Sequence, residues 1–149
     1  MKLVLPYGES RIDLEIPHPR VDVITPRFVE GLADEAQAFR HAVTAPLGCA
    51  PLQSQISAQD RVAIVIPDIT RALPSERLLS WLFAELTHVP ATNFTIIIGT
   101  GTHRPNTPQE IERMVGTDIA GRYRVVNHNA FEPDGLRQVG TREGGLPIL

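Results

Sequence analysis

Two runs of apolar and β-branched residues stand out in the hydrophobic pattern of the chain, at residues 62–66 and 94–98. Neither run alternates with charged residues, and such runs are typical of strands buried on both faces, as in a parallel sheet. Each run is followed by a short polar loop and then by hydrophobic residues at helical spacing. This order predicts consecutive β-α-β units, which form parallel sheets through right-handed crossovers.

The spacing of hydrophobic residues also predicts where the helices lie. It indicates helices over residues 29–44 and 74–87, and a polar, turn-rich connector over residues 46–60. A third helix is predicted to begin at Thr107, because Thr107 and Glu110 have the spacing of a capping box. Helices and strands therefore alternate over the second half of the chain.

Shorter strands are predicted nearer the two ends of the chain. Strand-like runs at residues 3–7 and 11–16, joined by a turn, indicate an N-terminal β-hairpin. A third strand of the parallel sheet is predicted near residues 123–126, and residues 135–141 could hold a fourth. The fold class is therefore predicted as α/β: a Rossmann-like, mostly parallel sheet flanked by helices, with an N-terminal β-hairpin, in a single domain over residues 1–149.

The composition excludes several classes of protein. A net charge of −3 gives no basic surface for nucleic acid, and no apolar stretch approaches the roughly 20 residues needed to cross a bilayer. Pro6 interrupts the N-terminus too early for a signal peptide. We therefore expect a cytoplasmic protein with no nucleic-acid or membrane partner.

The cysteine and histidine residues do not form a metal-binding pattern. Cys49 is the only cysteine, which excludes an intrachain disulfide and a cysteine cluster. The five histidines lack the spacing of zinc ligands, and His18, His41 and His88 are interpreted as structural or solvated. No metal site is expected within these residues.

The end of the sequence, residues 144–149, predicts a turn that leads into a strand where the sequence stops. Natural domains more often end on a polar, solvated tail. We therefore expect this sequence to be part of a longer protein. The alternative is a short terminal strand.

The loop after the first apolar run carries Asp68, Ile69, Thr70 and Arg71. The carboxyl ends of parallel strands meet at one edge of the sheet, where ligands bind. At that edge Asp68 could accept a hydrogen bond from a hydroxyl group, and Arg71 could bind a phosphate or a carboxylate. The alternative is a turn in which Asp68 accepts hydrogen bonds from backbone N–H groups.

The loop after the second apolar run contains Gly99, Gly101, His103 and Arg104. The glycines allow a sharp turn and a close approach to a ligand. His103 could act as an acid or base near neutral pH, and Arg104 could bind an anion. The alternative is a histidine that only forms a hydrogen bond across the sheet edge. Since both loops lie at the same edge, His103 and Asp68 are predicted to share the rim of an active site.

Two other patterns lie at this predicted edge. The spacing Gly99-x-Gly101-x-x-Arg104 lacks the third glycine of a dinucleotide fingerprint, and the capping box delays the following helix, which argues against backbone binding of a pyrophosphate. His128 follows the third strand between two asparagines, and it could belong either to a turn or to the site.

The motifs Asp68-Ile69-Thr70-Arg71 and Gly101-Thr102-His103-Arg104 resemble those of the nickel-dependent lactate racemase family. The segments Leu5-Pro6-Tyr7-Gly8, Asn127-His128 and Gly145-Leu146-Pro147 are also similar to that family, so the resemblance extends over most of the chain. Ala72 departs from the family, which often has proline after the arginine, and this change should affect only the stiffness of the loop.

The resemblance implies racemisation or epimerisation of small-molecule 2-hydroxy acids with a nickel-pincer nucleotide, a nickel pyridinium-3,5-bisthiocarboxylate mononucleotide. In this family a histidine removes the hydroxyl proton while a hydride moves to the cofactor, and return of the hydride to the other face inverts the carbon. By motif match, His103 would be one of two acid/base histidines. The loop of residues 68–71 would bind the cofactor, and Arg71 and Arg104 would bind the substrate.

The resemblance also implies that part of the site lies elsewhere. The family's cofactor-linking lysine, nickel-binding histidine and second acid/base histidine lie in segments beyond residue 149. We therefore interpret the chain as the N-terminal part of a longer enzyme, completed by a C-terminal domain of the same protein. The isolated chain is expected to hold no cofactor and to be inactive.

Two alternatives remain open from the sequence. One is a non-catalytic nucleotide- or phosphate-binding α/β module that uses Arg71 and Arg104. The other is a family member that uses the same cofactor for different redox chemistry.

Overall fold

An antiparallel β-hairpin opens the chain in the computed structural model, which describes residues 1–132 and 135–148. Strand β1 covers Lys2–Tyr7 and strand β2 covers Ser10–Glu15. Their two-residue turn begins at Gly8, whose φ of +58° suits a residue without a side chain. The predicted hairpin is confirmed. It belongs to the first of two compact units, residues 1–33, and the second unit comprises residues 34–149.

The first helix of the second unit is shorter than predicted. Helix α1 covers Glu35–Thr44, so the prediction of a helix from residue 29 is wrong at its start. The reason is local: the Asp34 carboxylate accepts a hydrogen bond from the Gln37 backbone N–H at 2.8 Å and caps the helix there. The connector that follows contains a short helix, α2, over Leu52–Gln55, which the hydrophobic pattern did not predict.

Three parallel strands form the sheet of the second unit, as predicted. Strands β3 (Val62–Pro67), β4 (Phe94–Gly99) and β5 (Arg124–Asn127) lie in the order β3-β4-β5. Pro67 pairs with Gly99 at the carboxyl ends of β3 and β4. The loops that follow these two strands therefore leave the sheet side by side.

The crossover helices are α3 (Ser75–Glu85), α4 (Pro108–Val115) and α5 (Thr117–Arg122). The predicted capping box at the start of α4 is confirmed. Helix α5 was not predicted: Gly116, with a φ of +84°, ends α4 and a new helix begins immediately after it.

The helices bury one face of the sheet. Ile66, Ile96 and Ile98 pack against residues of all three crossover helices: Leu79, Val115 and Ile119. The prediction of strands buried on both faces is wrong for β3, since Val65 on the opposite face is 70% exposed. The physical reason is topological, because successive right-handed crossovers that advance in one direction place their helices on the same face.

The predicted fourth strand does not join the parallel sheet. Strands β6 (Gly140–Thr141) and β7 (Pro147–Ile148) form a separate antiparallel pair. Of the predicted terminal turn and strand, Leu149 lies outside the described residues. Among the helices of the described residues, none has the length and apolar character needed to cross a membrane.

The structure is thus a mixed α/β fold with a parallel three-stranded sheet, flanking helices and an N-terminal hairpin, which confirms the predicted fold class. The organisation of residues 1–149 as one domain of a longer enzyme stays a prediction.

Candidate active site

The side chains of Asp68 and His103 meet at the carboxyl edge of the parallel sheet. Asp68 directly follows β3, and His103 lies in the loop after β4. The His103 Nδ1 atom is 2.5 Å from the Asp68 Oδ2 atom. Asp68 is only 5% exposed, whereas the His103 side chain is 50% exposed. The pair thus joins a buried carboxylate to an imidazole that solvent and ligands can reach.

A turn within the loop holds Asp68 in place. The Thr70 hydroxyl donates to the Asp68 Oδ1 atom at 2.6 Å, and the Thr70 backbone N–H donates to the same atom at 3.2 Å. The Arg71 N–H donates to the Asp68 carbonyl at 3.1 Å. The turn and the functional interpretation of Asp68 are therefore compatible, since one carboxylate oxygen closes the turn and the other contacts His103.

These contacts determine the protonation state of the pair. The pKa of the Asp68 carboxyl lies below its ordinary value because the Thr70 hydroxyl and then the His103 ring donate hydrogen bonds to it. An ionised carboxylate can only accept, so Nδ1 of His103 must carry the proton in this contact. The Nε2 atom of a neutral His103 is then the free acceptor, as a general base requires.

The His103 loop is tied to the end of β5 at two points. Near its start, the Thr100 hydroxyl donates to the His128 carbonyl at 2.5 Å, and the His128 N–H donates to the Ile98 carbonyl at 2.9 Å. Near its end, the Asn127 side chain bonds both the N–H and the carbonyl of Asn106, at 2.9 and 3.0 Å. The backbone of His128 thus bonds to the end of β4 and to Thr100, and the choice between a turn and a site role for this histidine stays open.

The side chain of Asn106 contains a buried polar atom that makes no hydrogen bond to any described residue. Its side-chain oxygen is buried and has no hydrogen-bond partner within residues 1–132 and 135–148. A buried acceptor without a hydrogen-bond partner destabilises the conformation that buries it. The loop therefore depends on its other contacts to keep this arrangement.

Arg104 is engaged within its own segment. Its guanidinium bonds both carboxylate oxygens of Glu110, at 2.8 and 2.7 Å, and also donates to the Pro105 carbonyl. This pairing and the Thr107 N–H lower the pKa of Glu110 to about 2. The same pairing raises the pKa of Arg104. Arg104 follows His103 in sequence, but its charge is already compensated.

A cleft of about 600 Å³ adjoins the buried carboxylate. Its lining includes Asp68, Ile69 and Arg71 from the loop after β3, together with Arg77 of α3 and Arg113 of α4. Thr70, His103 and Arg104 are not among its lining residues. Asp68 is therefore the point where the cleft and the histidine meet.

The cleft carries arginines that can bind an anionic ligand, and the carboxylate of Glu76 also lines it. Arg77 pairs with Glu35 at 2.5 Å, whereas Arg71 and Arg113 form no ion pair with any described residue. Two uncompensated guanidinium groups can bind a phosphate or a carboxylate.

Metal ligands are not gathered at this edge. In the part of the chain that the structure describes, no group of three or more histidine, cysteine, aspartate or glutamate side chains could hold a metal ion. Cys49 is exposed and unbonded to any other cysteine. The His88 ring contacts the Ile56 carbonyl at 2.8 Å, in keeping with a structural role.

Sequence reasoning missed Thr100, Asn127 and Arg113 as residues of this region. The sequence positions of Thr100 and Asn127 indicated such a role, because polar residues at the carboxyl ends of buried parallel strands often lie near the ligand site. The position of Arg113 indicated no such role, since an arginine on an amphipathic helix is ordinary and only the packing of α4 brings it to the cleft.

Comparison with known proteins places this chain in a family. A family model described as the lactate racemase N-terminal domain matches residues 7–149. The lactate racemase of Thermoanaerobacterium thermosaccharolyticum is 28% identical over 146 residues, which cover 95% of this chain and 34% of that protein. The lactate racemase of Lactiplantibacillus plantarum is 26% identical over 112 residues, which cover 74% of this chain and 26% of that protein.

Comparison with solved structures also finds proteins whose fold is similar to that of this chain. The lactate racemase apoprotein from T. thermosaccharolyticum matches 99% of this chain and 34% of its own, with a TM-score of 0.75 and 25% identity. A protein from Thermotoga maritima, 23% identical with a TM-score of 0.59 over 77% of this chain, shares the fold. The chain therefore spans about a third or less of the length of these relatives, and it belongs to the lactate racemase N-terminal domain family.

Proposed function

We propose that the protein containing this chain inverts the configuration of a 2-hydroxy acid such as lactate, and that this chain supplies one of its two acid/base histidines. The observation that carries the proposal is the contact between His103 and the buried carboxylate of Asp68. Family membership supports the reaction class.

His103 is the proposed general base and acid. Its Nε2 atom takes the proton of the substrate hydroxyl as the carbon gives up a hydride, and it returns that proton when the hydroxyl forms again. Asp68 stabilises the imidazolium formed in between and keeps the proton on Nδ1. Asp68 acts through His103, so its role is positional and electrostatic.

The nickel-pincer nucleotide, when bound, supplies the acceptor for the hydride. The residues present fit its anionic end: Arg71 and Arg113 are cations without an ion-pair partner among the described residues, and they line the cleft beside Asp68. The loop of residues 68–71 is the proposed binding segment.

The substrate carboxylate requires a cation close to His103. Arg71 and Arg104 are the proposed groups, and Arg71 suits this role better, because Arg104 would first have to leave Glu110. Positive charge at the carboxylate also orients the hydroxyl toward the base.

A C-terminal domain of the same protein is proposed to complete the site in the cytoplasm. The length of the relatives, of which the chain covers 34% and 26%, supports the further domain. Because the family resemblance implies that the cofactor-linking lysine and the nickel-binding histidine lie beyond residue 149, the isolated chain should neither hold nickel nor racemise lactate.

The test uses the full reading frame, loaded with cofactor and assayed for conversion of L-lactate to D-lactate. His103→Ala should abolish inversion while the nickel content is retained. His41→Ala is the matched control, since His41 lies on the exposed helix α1. Unchanged turnover by His103→Ala would exclude His103 as the base.

A second candidate is a non-catalytic module that binds a nucleotide or phosphate. The cleft with two uncompensated arginines favours it. Calorimetric titration of the isolated chain with nucleotides separates the two functions, because only a complete module should bind without a further domain.

A further inference from the structure

We infer that Thr100 and Asn127 are positioning residues, which clamp the His103 loop to the end of β5 so that the imidazole meets Asp68. The inference rests on the proposed function, and it adds two residues to the machinery of the same site. Thr100 lies outside the segments that carry the family resemblance, whereas Asn127 lies in one of them but has no role assigned to it there.

The first contact fixes the start of the loop. Thr100 is the residue after β4 and is 3% exposed. Its hydroxyl donates to the His128 carbonyl at 2.5 Å, and its carbonyl accepts from the His103 N–H at 3.0 Å. One residue therefore connects the end of β5 directly to the backbone of His103.

The second contact fixes the end of the loop. Asn127 is the last residue of β5, and its side chain bonds the backbone of Asn106 in both directions. Asn106 is 6% exposed, so these two hydrogen bonds are shielded from water. A shielded pair of hydrogen bonds restrains a loop more strongly than an exposed one.

The loop needs such restraint because no regular secondary structure orders it, although the pairing of Arg104 with Glu110 also ties its end to α4. No helix or strand lies between β4 and α4, and Gly101 adopts a φ of +59° within this segment. β4 lies between β3 and β5 in the sheet. The clamp holds the loop on the β5 side, and the imidazole reaches Asp68 on the β3 side.

The sharpest test compares two substitutions at one position. Thr100→Val keeps the shape of the side chain and removes the hydroxyl, whereas Thr100→Ser keeps the hydroxyl. In the chain of residues 1–149, NMR titration of the Asp68 carboxyl should show its pKa moving up toward the ordinary value in Thr100→Val. The shift should be partial, since the Thr70 hydrogen bonds remain.

Asn127→Ala provides an independent second variant in case Thr100→Val does not fold. It should raise the pKa of Asp68 in the same direction. Thr44→Val is the matched control, because it removes a hydroxyl that bonds the Arg40 carbonyl at 2.8 Å on α1, outside the His103 loop. Thr100→Ser and Thr44→Val should leave the Asp68 pKa near that of the wild type.

In the cofactor-loaded full-length enzyme, Thr100→Val should lower kcat about 10- to 100-fold with little change in KM, because a displaced base affects the reacting geometry more than binding. Thr100→Ser should recover most of this loss. An Asp68 pKa that is unchanged in folded Thr100→Val and Asn127→Ala would overturn the clamp. Absence of racemase activity in the wild type would instead overturn the proposed function, while the NMR result would still decide the clamp.

Discussion

The Oδ2 atom of Asp68 lies 2.5 Å from the Nδ1 atom of His103, although 35 residues separate them in sequence. The register of the sheet explains the contact: Pro67 and Gly99 pair at the ends of β3 and β4, so the two loops begin side by side. Strand pairing thus places the Asp68 carboxylate, whose pKa lies below its ordinary value, next to the imidazole of His103.

Asp68→Asn should lower kcat strongly in the full-length enzyme while nickel content is retained, because an amide cannot stabilise an imidazolium as a carboxylate does. The pH profile of kcat should change as well, since the substitution removes the negative charge beside the proposed base. Equal kcat and pH profile in wild type and Asp68→Asn would show that the carboxylate does not act through His103.

The stability of the chain should also depend on Asp68. The pKa of this carboxyl is lower in the folded chain than the ordinary value of 3.8. Its stabilisation is therefore present above pH 3.8 and is lost as the pH falls through the folded pKa. Urea unfolding should show Asp68→Asn to be less stable than wild type at pH 7, with the difference shrinking in acid. A difference that is constant with pH would contradict this linkage.

Glu110 should stabilise the start of α4 down to strongly acidic pH. Pairing with Arg104 and bonding to the Thr107 N–H lower its pKa from 4.5 to about 2. The stabilisation is therefore complete above pH 4.5 and disappears as the pH approaches 2. Glu110→Gln should lower the unfolding midpoint at pH 7, whereas Glu112→Gln, an exposed glutamate of the same helix without an ion pair among the described residues, should change it little.

Thr107→Ala should cost about 1 kcal/mol of unfolding free energy, because it removes the N-cap acceptor of α4. The Thr107 hydroxyl accepts from the Glu110 N–H at 3.2 Å. Thr107→Ser should retain most of this stability, since serine is an equally good N-cap. Urea unfolding of the three proteins at pH 7 measures the effect, and equal midpoints would exclude it.

Burial on one face of the sheet predicts a contrast between two strand residues. Ile98 is fully buried, and Ile98→Ala should cost about 2–5 kcal/mol. Val65 is 70% exposed, and Val65→Ala should cost about 0.5 kcal/mol or less in this chain. Chemical denaturation distinguishes the outcomes, and similar losses would mean that both faces are covered in solution.

The sequence by itself determined the three parallel strands, helices α3 and α4 that follow β3 and β4, the hairpin, and the loops that carry Asp68 and His103. These features follow from local patterns, such as the apolar runs at residues 62–66 and 94–98 and the capping box at Thr107. A local pattern acts through neighbouring residues along the chain, so it can be recognised without knowing what packs against it.

The tertiary structure alone decided which partners those residues have. The attachment of Thr100 and Asn127 to the His103 loop and the open face around Val65 depend on strand register and on the side to which each crossover returns. Contacts between distant segments are fixed by packing, which the spacing of residues along the chain does not contain.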